Sequence, residues 1–120
     1  MIRGKSRVAV LALLAALALP AACERPTHDA ATLRAVDAEA RSLMAAHPRA
    51  ATLARTDWPP AIASLAPEDV EVLPEGVDIA IRRSFDGGWG YFVPRRPGTL
   101  PEPRGRFEPA GEGIYWWHPY

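Results

Sequence analysis

The chain has 120 residues, with 14 basic and 14 acidic side chains in formal balance and a single cysteine. That length allows one domain and no more. The lone cysteine excludes a disulfide-stapled scaffold, and a charge balance without a basic surplus argues against a general nucleic-acid binder.

Arg3, Lys5 and Arg7 open the chain, and residues 8–19 carry no charged or polar side chain. This apolar run of 12 residues falls short of the roughly 20 that a membrane-spanning helix needs. Its alanines and leucines favour a helix, which Pro20 breaks just ahead of Ala21, Ala22 and Cys23. This is the layout of an export signal. The leader takes three of the 14 basic residues and none of the acidic ones, so residues 23–120 carry a formal charge of −3, and every basic residue left is arginine.

The segment Leu19-Pro20-Ala21-Ala22-Cys23 resembles the end of a bacterial lipoprotein signal peptide. Pro20 departs from the usual pattern, in which an aliphatic residue stands three places before the cysteine. The resemblance covers the first 23 residues and implies that the Cys23 sulfur takes a diacylglyceryl group and becomes the new N-terminus. An exported thiol with no partner would otherwise be open to oxidation, and acyl chains hold at about 0.8 kcal/mol per buried methylene. Glu24 after the cysteine implies, by analogy with enterobacterial sorting, an outer-membrane protein facing the periplasm. Two readings compete: ordinary cleavage after Ala21, leaving a soluble periplasmic or secreted protein, and a retained signal anchor.

Residues 27–46 read as a helix, with Leu33, Val36, Ala40 and Leu43 on one face. Thr27 is the expected N-cap and Pro48 the stop. Such a helix either packs loosely on the domain or acts as a stalk. Residues 49–56 extend the helical reading by a turn or two. Pro59 and Pro60 then suit the first turn of a short helix over 61–65, with Ile62 and Leu65 pointing inward.

After Pro67 the period becomes two. Val70 and Val72 alternate with Asp69 and Glu71, and Val77, Ile79 and Ile81 alternate with Asp78, Ala80 and Arg82. Asp86-Gly87-Gly88 reads as a hairpin turn, and the Gly87-Gly88-Trp89-Gly90 cluster is not a phosphate cradle, because both of its flanks are strand-like. Trp89, Tyr91 and Val93 share one face of the next strand and Phe92 takes the other. Residues 94–113, with five prolines, four glycines and four arginines, read as a long loop. Residues 114–118 form a final strand, whose alternation sends Trp116 and Trp117 to opposite faces.

The aromatics and arginines of the second half carry the candidate chemistry. Indole and phenol rings bind sugar faces or peptide side chains, and they equally fill cores. Guanidinium groups grip carboxylates and phosphates, and they equally pair within a solvated surface. The candidate binding surface comprises Trp89, Tyr91, Arg95, Arg96, Tyr115 and Trp117. His28, His47 and His118 lie too far apart for a local metal site, and Ser42, Ser64 and Ser84 lack a nucleophile-elbow context. No catalytic residue, metal or cofactor is singled out.

The expectation is therefore an α+β protein: a signal peptide over 1–22, a lipidated N-terminus and helical segment over 23–56, and a small domain over 57–120. That domain would hold a mostly antiparallel sheet of three to four strands with one or two packed helices. Its role would be non-catalytic binding in the cell envelope, with an envelope protein or the cell wall as partner and no nucleic acid. The alternatives are an inhibitor or immunity-type protein acting through the 94–113 loop, and an envelope enzyme.

Overall fold

The computed structural model describes residues 29–119. The leader, Cys23 with its expected lipidation, Thr27 and Tyr120 lie outside the described residues.

Helix α1 spans Ala30–Ala46. Asp29, not Thr27, caps it: its carboxylate accepts the Thr32 N–H at 2.9 Å and the Thr32 hydroxyl at 2.6 Å. Those two bonds hold the Asp29 carboxyl below the ordinary carboxylate range. The helix ends ahead of Pro48, and the His47 N–H closes its last turn on the Leu43 carbonyl.

The segment after it corrects the helical reading of 49–56. Ala51–Thr52 forms strand β1 and Arg55–Asp57 a single 3-10 turn. So short a piece between Pro48 and Pro59 cannot sustain a helix of its own. Pairing with the sheet satisfies its backbone and buries Leu53. Helix α2 then spans Pro60–Ser64, with Pro59 at its N-cap and Ile62 fully buried.

Five further strands complete the sheet: β2 Asp69–Val72, β3 Gly76–Arg82, β4 Trp89–Pro94 and, after a long crossing, the hairpin of β5 Phe107–Gly111 and β6 Ile114–Trp117. The spatial order is β1-β2-β3-β4-β6-β5, antiparallel throughout. The sheet has six strands rather than three to four. The extra pair, β1 and β5, are its edges, and both are blunt. β1 has two residues, while β5 carries Pro109 and an irregular register beside it, and a proline is tolerated only where no ladder donor is required.

Alternation divides the side chains between two layers. On one face Val70, Val72, Val77, Ile79, Tyr91, Val93 and Ile114 meet Leu33, Val36, Ala40 and Met44 of α1 and Ile62 of α2. Val36 and Ala40 are wholly buried, so α1 is part of the core and neither a loosely packed helix nor a stalk. The boundary expected at residue 57 does not divide this core. On the other face Ala80, Phe92 and Trp117 form a smaller cluster covered by Leu100 and Phe107. The 94–113 stretch is thus not a free loop: part of it lies on the sheet and part of it is a strand. Gly90 makes this face possible, because a Cβ there would stand 2.8 Å from the Trp117 ring and run into the Ile79 carbonyl.

Candidate aromatic binding site

The residues expected to form one surface are distributed over both faces. Tyr91 is 1% exposed in the helix-side core. Trp117, 5% exposed, lies on the opposite face, where its indole N–H donates to Asp78 at 2.9 Å. Tyr115, half-buried, pairs with Phe92 and Pro109 across neighbouring strands. The Arg95 guanidinium turns inward and donates to the carbonyls of Pro74, Leu73 and Met44 at 3.2, 3.3 and 3.4 Å. It thereby fastens the C-terminal turn of α1 to the β2–β3 turn, a favourable place for a cation. Arg96 is exposed. Of the six, only Trp89 belongs to the site the structure does assemble.

That site lies at the end of the sheet where β3 leaves for β4. Gly87 and Gly88 adopt positive φ in the 83–88 connection, as the turn reading required. Phe85 projects from it fully into solvent, the one large apolar side chain so exposed among the described residues. Trp89 and Trp116, both half-buried, line an open trough of about 390 Å³ with Arg82, Ser84, Asp86 and His118, while Phe85 borders a separate depression with Pro103, Gly105 and Arg106. The cross-strand register explains the grouping: Tyr91 opposes Trp116, which brings Trp89 and His118 alongside on the same face. The His118 ring lies against Trp116 at 4.5 Å between centroids, and Trp89 stands edge-on to Tyr91 at 6.1 Å. The Ser84 hydroxyl donates to the Asp86 carboxylate.

The four tryptophans fall into two pairs. Trp58 and Trp117 donate their indole N–H groups to the Leu53 carbonyl and to Asp78. Trp89 and Trp116 have no such bond among the described residues, and neither nitrogen is shut away from solvent. A buried indole usually finds a partner. A half-exposed one with its donor open is equipped to meet a ligand. Sequence reasoning missed Trp116, Phe85, Ser84, Asp86 and His118. The available signal was that Trp89 and Trp116 both fall on the inward phase of strands at the end where the chain supplies no further apolar helix to cover them.

The opposite face carries the main charge cluster. Arg83 grips Asp69 with two bonds of 2.6 and 3.0 Å and reaches Asp78 at 3.0 Å. Its backbone N–H donates to Glu68. Burial pushes the Asp78 carboxyl upward, and Arg83 opposes that shift. A cleft of about 210 Å³ between this cluster and the 101–107 segment is floored by Phe92, Phe107 and Trp117. These charges satisfy one another and anchor the base of the hairpin.

No protein-family model, curated protein or solved structure matches the chain. Among the described residues, no helix is long and apolar enough to cross a membrane.

Proposed function

We propose that this is a lipid-anchored lipoprotein of the cell envelope with a non-catalytic binding role, exercised at the hairpin end of the sheet. Cys23 behind its basic-then-apolar leader supports the anchor. The observation that carries the binding role is Phe85, wholly exposed on the same connection whose Ser84, Asp86 and Gly88 line the trough of the half-buried Trp89 and Trp116. Exposed aromatic anchors next to aromatic pockets are where binding energy concentrates at interfaces.

The test places a photo-reactive phenylalanine analogue at position 85 of the full chain in cells, with the same probe at the exposed helix position Arg34 as control. Covalent capture of one dominant envelope component from position 85, absent from position 34, is the expected result. Equal or negligible capture from both positions refutes the binding role. Mass spectrometry of the same purified protein reads the anchor separately: an unmodified Cys23 thiol removes it.

A further inference from the structure

We infer that the trough between Trp89 and Trp116 is a saccharide-binding site. The assignment rests on reading the hairpin end as a binding surface, and it names the chemistry of the ligand. Three properties of the trough have to be matched together. Its lining includes two indole rings, side chains that can take up the apolar C–H face of a sugar ring. Two indole N–H donors stand without protein partners among the described residues, and they call for ligand acceptors. The rim carries the Asp86 carboxylate, an acceptor that calls for ligand donors. A pyranose offers an apolar face and hydroxyl groups that both donate and accept.

An extended proline-rich peptide, the other usual guest of a tryptophan groove, matches the walls but not the rim. Its prolines have no N–H to give to Asp86, so it presents fewer donors there than a ring bearing several hydroxyl groups. Arg82 and Asp86, of opposite sign, sit on the same rim, so the trough favours no strongly charged ligand. Its volume of about 390 Å³ falls at the low end of the roughly 300–1,000 Å³ typical of small-ligand sites, which suits a short oligosaccharide.

The test titrates the isotope-labelled full-length protein in detergent with N-acetylated chitotriose, with maltotriose and with a proline-rich peptide, following the four indole N–H resonances. At least one sugar is expected to shift the Trp89 and Trp116 signals saturably while those of Trp58 and Trp117 stay still. Trp116→Phe, which keeps the ring and loses the donor, is expected to weaken that binding roughly tenfold. Asp86→Asn, at an exposed position, gives the same direction of change if Trp116→Phe disturbs the fold. Trp58→Phe leaves the affinity unchanged.

Silence of all four signals towards both sugars overturns the inference, as does binding that survives both trough variants. A response to the peptide alone replaces the saccharide with an extended peptide. Position-85 capture of a protein with no sugar response defeats only the saccharide assignment, whereas loss of both results defeats the binding surface itself.

Discussion

The two ends of the sheet are built from similar residues and treated differently. At the end under α1, long polar side chains are turned inward and used up. Arg95 closes three carbonyls, and the Glu39 carboxylate accepts the N–H groups of Ala61 and Ile62 at 2.9 Å each, capping α2 from another helix. At the hairpin end, the Trp89 and Trp116 indole N–H groups on the same face have no hydrogen-bond partner among the described residues, and the Phe85 ring stands in water. A side chain whose hydrogen-bonding capacity is spent inside the molecule holds the fold; one that keeps it is available to something else. By that rule Trp117 and Arg95 belong with the architecture, and Trp89 and Trp116 with the proposed binding surface, to which Phe85 adds its exposed ring.

The sharpest way to break this contrast is to treat both classes alike. Trp117→Phe should cost about 1–3 kcal/mol in urea unfolding, because it strips Asp78 of a partner in a part-buried site. Arg95→Ala should cost about 1 kcal/mol, since its bonds are part-exposed and water replaces some of them. Asp78→Asn should act in the opposite direction. The folded Asp78 carboxyl titrates above its unfolded value because of burial, so its contribution is fully present below the unfolded value and is lost as pH rises through the raised one. The variant is therefore expected to gain on the natural protein in thermal scans at neutral pH and to lose that advantage in acid. Phe85→Ala should move stability by no more than about 0.5 kcal/mol while abolishing co-purification of the component that the position-85 probe captures. A large loss of stability on removing Phe85, or none on removing the Trp117 indole N–H, would erase the distinction.

Much of the sheet was legible because period-two alternation is a local property. Val77, Ile79 and Ile81, the split of Trp116 from Trp117, and the turn at Gly87 and Gly88 all follow from neighbours a few positions away. What was not legible depends on distant partners. β1 is a strand only because Val72 and Glu71 lie beside it, and β5 is one despite Pro109 because β6 folds back onto it. The 94–113 stretch looked free because Leu100 and Phe107 are isolated in sequence, yet both settle on Phe92 and Trp117. Arg95 looked like a surface cation because its acceptors, one of them 51 residues away, are backbone carbonyls that no side-chain pattern reveals. The hairpin-end site was half legible: Trp89 stood among the candidates, but its neighbours Trp116 and His118 required the β4–β6 register.

The blunt margins of the sheet have a consequence for the protein when many copies crowd together. Lateral zippering of one molecule onto the next needs a run of unpaired amides along an outer strand. One margin here is two residues long and the other is interrupted by a proline and a kinked register. Among the described residues, neither margin offers the long run of unpaired amides that continuous cross-molecule pairing requires.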